Sequence, residues 1–266
     1  MKIVRLIDLQ KKKEAREPIV MLTCYDATFA RLIDMAGVDI LLVGDSLGMV
    51  IQGASNTLSV SMDDMVYHTR AVARGCQRAH LVADMPFMTY QTDLKVALEN
   101  AANLLRAGAH SVKVEGGRSV ASTVRAMTEA GIPVMGHVGL TPQSVHALSG
   151  HRIQGRTEEA SARILEDSLA LQEAGVYAIV LECVPETLAQ EISTRLVIPT
   201  IGIGAGRFTD GQVLVSYDLL GLNPEFKPRF LKTYLNGASL VMAAVEKYVT
   251  EVRHGEFPAQ EHVSVI

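Results

Sequence analysis

Eight short, mainly apolar runs, most of them with no polar residue interleaved at every second position, recur along the chain at 19–25, 39–45, 80–85, 111–115, 133–137, 178–182, 199–203 and 212–217. An unbroken run of Val, Ile and Leu this short predicts a strand buried on both faces, as in a parallel sheet covered by helices. Between most of the runs lies a longer helical stretch that ends in Ala-Gly: Ala36-Gly37, Ala107-Gly108, Ala130-Gly131 and Ala174-Gly175. Glycine just past a helix supplies the left-handed cap, and the next strand then begins within about three residues. Repetition of this device indicates a βα repeat.

Eight strands alternating with helices predict an α/β fold, a (β/α)8 TIM barrel, better than they predict an open sheet. The expected organisation is one barrel domain over 1–266, with an N-terminal helical extension, a C-terminal helix near 238–252 and a tail from Gly255 that is loose or bound to a partner. The eighth unit departs from the pattern. Only Ala205 to Gly211 separates runs seven and eight, and a parallel crossover usually takes a dozen residues or more. Either the helix there is reduced to a turn or one strand is wrongly placed.

Composition narrows the class. The 266 residues, 48% hydrophobic and 20% charged, suit a globular domain with a large core. A formal charge of -4 argues against a nucleic-acid surface, and the Lys11-Lys12-Lys13 run, diluted by Glu14 and Glu17, reads as the solvated face of a helix. Cys24, Cys76 and Cys183 are widely spaced with no CxxC pair, as expected of reduced thiols in a cytoplasmic protein. The first 20 residues carry no hydrophobic signal core, and no apolar stretch reaches the roughly 18 residues of a membrane helix. Mean hydropathy lies on the apolar side, which points to subunit contacts and an oligomer.

The candidate chemistry sits at strand ends. Asp45, Asp84 and Glu115 each close one of three successive strand runs. Neighbouring strand ends lie roughly 5 to 10 Å apart, given a strand spacing of roughly 4.8 Å, so three hard oxygen ligands would converge on one divalent cation, Mg²⁺. Each carboxylate alone could instead cap the following helix. Elsewhere the caps have other sources: Ser61 with Asp64 has capping-box spacing, and Thr141-Pro142 places a cap before proline.

Lys113 stands two residues before Glu115, so both side chains point inward. A buried lysine needs a partner. It either pairs with Glu115 or Asp84, or holds a substrate carboxylate or oxyanion, or does both. Glu182 ends the sixth run among apolar neighbours, which favours the protonated form and suits a general base, the alternative being a cap for the helix that begins at Pro185. His137 ends the fifth run, as a donor to a substrate carboxylate or enolate or as a satisfied core histidine. Asp26 and Ser46 also follow strand runs. The glycines Gly202, Gly204 and Gly206 either hold a phosphate on backbone amides or only permit a tight turn. The loop 144–156, with His146, Gly150, His151 and Gly155, is a candidate lid.

These residues resemble a known family, the ketopantoate (3-methyl-2-oxobutanoate) hydroxymethyltransferases of pantothenate biosynthesis. The matching runs are Thr23-Cys24-Tyr25-Asp26, Leu42-Val43-Gly44-Asp45-Ser46-Leu47-Gly48-Met49, Ala83-Asp84-Met85-Pro86-Phe87, Val112-Lys113-Val114-Glu115-Gly116-Gly117, Gly136-His137-Val138-Gly139-Leu140-Thr141-Pro142-Gln143, Leu181-Glu182-Cys183-Val184-Pro185 and Ile201-Gly202-Ile203-Gly204-Ala205-Gly206. The resemblance implies a barrel assembled as a ring-like homodecamer. It implies Mg²⁺ at Asp45, Asp84 and Glu115, the 2-oxo acid at Asp45, Ser46, Asp84 and Lys113, and Glu182 as the proton acceptor. The ending Val263-Ser264-Val265-Ile266 departs from the family pattern.

The implied reaction moves a hydroxymethyl group from 5,10-methylenetetrahydrofolate to 3-methyl-2-oxobutanoate through a Mg-stabilised enolate, giving ketopantoate and tetrahydrofolate. No motif reads the folate. Two rival readings are a Mg²⁺-dependent C–C lyase or phosphonate mutase of similar barrel design, and a metabolite-binding barrel without catalysis. The second of these has no use for an acidic cluster plus a separate base.

Overall fold

A computed structural model of the chain describes residues 3–150 and 152–264, so His151 of the candidate lid and Val265 and Ile266 of the tail lie outside the described residues. The chain forms two compact units, Met1–Val215 and Ser216–Ile266.

The first unit carries β1 (Ile19–Thr23), β2 (Ile40–Val43), β3 (His80–Asp84), β4 (Ser111–Glu115), β5 (Val134–Gly139), β6 (Ala178–Glu182), β7 (Thr200–Ile203) and β8 (Gly211–Leu214). All eight pair in parallel in chain order, and β8 returns to β1 to close the barrel. Its helices are α1 (Leu6–Ala15), α2 (Ala27–Met35), α3 (Leu47–Val50), α4 (Met62–Gly75), α5 (Leu94–Arg106), α6 (Ala121–Glu129), α7 (Glu158–Glu173) and α8 (Glu186–Arg195). The four Ala-Gly stops behave as their sequence requires: Gly37, Gly108, Gly131 and Gly175 all have positive φ, just past α2, α5, α6 and α7.

Alternation along the strands builds the interior. Ile19, Met21, Ile40, Leu42, Val82, Met135, Ala178, Val180, Ile201 and Val213 form one core with Val4 and Leu9 from the N-terminal segment. Leu9 brings α1 to the N-terminal end of the barrel. The basic run on this helix is therefore not simply a solvated face. Lys12 pairs with Asp39 at 3.2 Å and Lys13 with Asp210 at 2.7 Å, the latter also donating to Ser193 O at 3.0 Å.

The eighth unit keeps its strand and loses its helix. Gly211 pairs with Ile201 in the middle of β7, so the chain needs to return only about two residues, roughly 7 Å, along the barrel axis. Seven connecting residues suffice for that. The connection lies against β7: Thr200 N and Oγ1 both donate to Asp210 Oδ2, at 2.8 and 2.9 Å, and a Cβ on Gly202 would stand 2.7 Å from Thr209 Oγ1. Run eight is shorter than its apolar pattern, because Ser216 and Tyr217 already belong to α9 (Ser216–Leu219).

The second unit consists of α9 and α10 (Gly237–His254), with a segment beyond them that ends in a short 3-10 turn at Gln260–His262. Along α10 only Gly237 is buried, and Leu240, Val241, Met242, Val245, Tyr248 and Val252 are exposed. None of the helices among the described residues is long and apolar enough to cross a membrane.

Candidate active site

The C-terminal ends of the strands gather most of the expected residues. Asp84 on β3 is in register with Lys113 on β4, and Glu115 on β4 with His137 on β5. Glu182 on β6 is in register with Gly139, two residues past His137. Asp45 follows β2 by two residues and its N–H donates to Asp84 Oδ2 at 3.0 Å, which ties the two carboxylates together. Ser46 is held beside them by Tyr25, whose hydroxyl lies 2.8 Å from Ser46 Oγ.

Charge is concentrated here. Asp45, Asp84, Lys113, Glu115 and His137 are all buried. Lys113 Nζ lies 2.8 Å from Asp84 Oδ1 and 3.4 Å from His137 Nδ1. His137 bridges two carboxylates, with Nδ1 3.4 Å from Glu115 Oε1 and Nε2 3.2 Å from Glu182 Oε2. Asp84 Oδ1 and His137 Nε2 have these ion-pair partners but no directed hydrogen bond. Glu182 is the more open end of the chain of contacts, 18% exposed where His137 is 3%.

Burial and neighbours set the protonation of each group. Burial, reinforced by the charges of Asp84 and Glu115, holds the Asp45 carboxyl well above the usual carboxylate range. Burial also raises Asp84, with Lys113 opposing it. For Glu115 burial is outweighed by the bond to and charge of His137, with Lys113 and the Gln143 N–H, so this carboxyl falls below its ordinary range. Burial and Lys113 push His137 down, but Glu115 and Glu182 outweigh them and hold its pKa at about 9. Three buried carboxyl groups around one lysine and one imidazolium leave a surplus of acid, which without a further cation favours a proton on Asp45.

That surplus fits a hard divalent cation, and carboxylate oxygens are the donors such a cation prefers. Among the described residues, however, no three His, Cys, Asp or Glu side chains are already grouped as a metal-holding set. The carboxylates are instead each anchored by the protein. Asp45 Oδ2 accepts from Gln143 Nε2 at 2.9 Å, Asp84 Oδ2 from Asp45 N, and Glu115 Oε2 from Gln143 N at 2.9 Å. Donor type and charge fit Mg²⁺, and the three groups share one end of the barrel, with Asp84 Oδ1 paired to Lys113 and Glu115 Oε1 to His137.

Other expectations resolve differently. Asp26 caps α2, accepting from Thr28 N and Phe29 N. Ser61 and Asp64 form the capping box of α4. Thr141 makes no side-chain cap; the 3-10 turn Pro142–Ser144 that follows it has Gln143 N bound to Glu115 instead. α8 starts after Pro185 with no side-chain cap, so Glu182 is not used there. The loop after β7 serves as the tight return, and an anionic neighbour stands on it: Arg207 N donates to Glu186 Oε1 at 3.1 Å. The 144–156 loop ties back to β6 where Gln154 N donates to Cys183 O at 2.8 Å.

Residue types and strand ends do not reveal Gln143, Tyr90 or Tyr25. All three are uncharged; Gln143 and Tyr90 sit in connections, where no periodicity flags burial, and Tyr25, the last residue of run one, lies just past the end of β1. The signal available for Gln143 and Tyr25 was their membership of the family-like runs.

A profile of the ketopantoate hydroxymethyltransferase family matches residues 3–260. The chain belongs to this family. Relatives of the family include the 3-methyl-2-oxobutanoate hydroxymethyltransferase of Magnetococcus marinus, 55% identical over 98% of each chain, and that of Moorella thermoacetica, 55% identical over 97% of each. Among solved structures, phosphoenolpyruvate phosphomutase of Streptomyces platensis subsp. rosaceus aligns with a TM-score of 0.64 over 98% of this chain and 92% of that one. At 14% identity that likeness shows the barrel fold alone.

Proposed function

We propose that the chain transfers a hydroxymethyl group from 5,10-methylenetetrahydrofolate to 3-methyl-2-oxobutanoate, giving ketopantoate and tetrahydrofolate. Family membership supports the transferase activity, and the pairing of Glu182 with His137 at a barrel mouth that also holds Lys113 and Asp84 carries the reading of how it works. Asp45, Asp84 and Glu115 would hold Mg²⁺, which when bound supplies Lewis-acid stabilisation of negative charge on the keto oxygen. Lys113, fixed against Asp84, is placed for the substrate's carboxylate or oxyanion, and Ser46, fixed by Tyr25, for a hydrogen bond to the oxo acid.

Glu182 takes the C3 proton of the oxo acid. Water supplies the hydroxyl oxygen to the one-carbon unit as both of its bonds to the folate nitrogens break, each nitrogen taking a proton from that water; the electron pair left on C3 forms the new C–C bond to this carbon, and its oxygen takes the proton from Glu182. His137, with Nε2 3.2 Å from Glu182 Oε2, holds the Glu182 carboxylate at the mouth. The same reading makes the protein cytoplasmic, in line with its unpaired cysteines, and a decamer, in line with the apolar residues exposed along α10.

Proton removal at C3 is separable from transfer, because it needs no folate. With Mg²⁺ and 3-methyl-2-oxobutanoate in D₂O, the protein should exchange the C3 proton, followed by NMR. Glu182→Gln keeps the side chain's size but accepts no proton, so exchange should fall by about 10² or more, the usual worth of a positioned base. Undiminished exchange in that variant would assign the base elsewhere, with His137 next to be tested.

A further inference from the structure

Gln143 lies in the connection after β5, and a glutamine on a connecting loop is ordinarily exposed. Here it is 4% exposed and every hydrogen-bonding position of its side chain is engaged. Nε2 donates to Asp45 Oδ2 and to Met85 O, each at 2.9 Å, using both amide hydrogens. Oε1 accepts from Tyr90 Oη at 2.9 Å and from Gln91 Nε2 at 3.4 Å. Its backbone N–H reaches Glu115 Oε2. One loop residue thus touches the ends of β2, β3 and β4, the three strands that carry the acidic residues.

We infer that Gln143 is a positioning residue that holds the Asp45 and Glu115 carboxylates in the orientation from which they take a divalent cation, with Tyr90 fixing Gln143 in turn. The inference rests on Asp45, Asp84 and Glu115 being the metal set. The chemistry of the donor is the argument. A lysine at this place would neutralise Asp45 and compete with the cation. An amide fixes one oxygen and leaves the carboxylate its charge and its other oxygen. The amide cannot be reversed, because its oxygen would then face the Asp45 carboxylate. Tyr90 locks the same arrangement from behind: its hydroxyl accepts from Glu115 N at 2.9 Å and faces Glu115 O at 3.0 Å as well as Gln143 Oε1. An ordinary loop anchor would need only the bonds to Met85 and Tyr90.

Binding of Mn²⁺ alone to the full chain, read by the electron paramagnetic resonance of free Mn²⁺, tests this without turnover. Gln143→Met keeps length and burial but donates nothing; its Mn²⁺ affinity should fall 10- to 100-fold, about the range for groups that orient metal-binding side chains. Tyr90→Phe should weaken binding by a smaller factor, roughly threefold or more, and the double variant should bind no worse than Gln143→Met alone, since both changes break one connection. Thermal melting without metal reports folding separately. Mn²⁺ affinity within twofold of the parent in a folded Gln143→Met, even with a lowered melting point, would overturn the inference and leave Gln143 a loop anchor. Should that variant not fold, Tyr90→Phe decides alone, and unchanged affinity there overturns it equally. Asp84→Asn separates the two levels: if it binds Mn²⁺ as the parent does, or if the parent binds none, the metal set itself is wrong and the role of Gln143 falls with it.

Discussion

His80 lies at the N-terminal end of β3, with Nε2 2.9 Å from Ser111 Oγ, which in turn lies 2.8 Å from the Tyr177 hydroxyl. His110 stands beside it, ring centroids 5.3 Å apart. Burial first, and then the nearby His110, lower the His80 pKa from 6.5 to about 4. The unfolded chain therefore binds this proton more readily than the native one, so stability is intact above 6.5 and is lost progressively as pH falls towards 4. At pH 5 the loss is about 2 kcal/mol. His80→Gln, which keeps a polar group near Ser111 but does not titrate, should show a flatter decline in urea midpoint between pH 7 and 4.5 than the parent. An equal decline in both would show that His80 is not the group responsible. His137 offers the contrast, since both are buried histidines on barrel strands. Two carboxylates make one a cation, and burial keeps the other neutral. Sequence placed Asp45, Asp84, Lys113, Glu115, His137 and Glu182 at the mouth because a charge at the end of an apolar run is conspicuous. It could not say that His137 lies between two carboxylates, because those partners are set by barrel register.

At the scale of elements, the register of β5 and β6 does most to aim Glu182. Gly139 ends β5 with φ of 95°, and a Cβ there would stand 2.3 Å from Glu182 O. Gly139→Ala would meet left-handed backbone strain of about 1–3 kcal/mol and would also push the two strand ends apart. Its unfolding free energy in urea should fall by at least that strain, and C3 exchange should fall with it. A variant as stable as the parent would mean the strand ends have room to part. The strands and the Ala-Gly helix stops were legible because each is a local pattern: a short apolar run, then a glycine that alone tolerates positive φ. Local pattern failed where a distant residue did the work. Thr141 has the sequence of a cap, yet Glu115 from another strand takes the neighbouring N–H. The missing eighth helix was visible as a short spacing, whereas its solution depended on Gly211 pairing midway along β7, a fact of closure that no window of sequence contains.

For the whole molecule, α10 poses the question of assembly. It exposes Leu240, Val241, Met242, Val245 and Tyr248, an apolar surface that isolated chains in water seldom keep. Light scattering at micromolar concentration should report a particle near ten chains, and a monomer there would refute the assembly. The barrel is itself uneven. Between β7 and β8 the ladder spans two register pairs, against five between β5 and β6, and no helix connects those two strands. On the next pairing the outer face stays open to solvent, at Val20 opposite Gln212. A closed hoop of strands loosens first at its thinnest joint, which sets up a gradient of rigidity around the mouth. The arc from β2 to β4, which in the proposed function holds the cation, lies away from the joint, whereas Glu182, proposed there to take and return a proton in every turnover, sits on the strand next to β7.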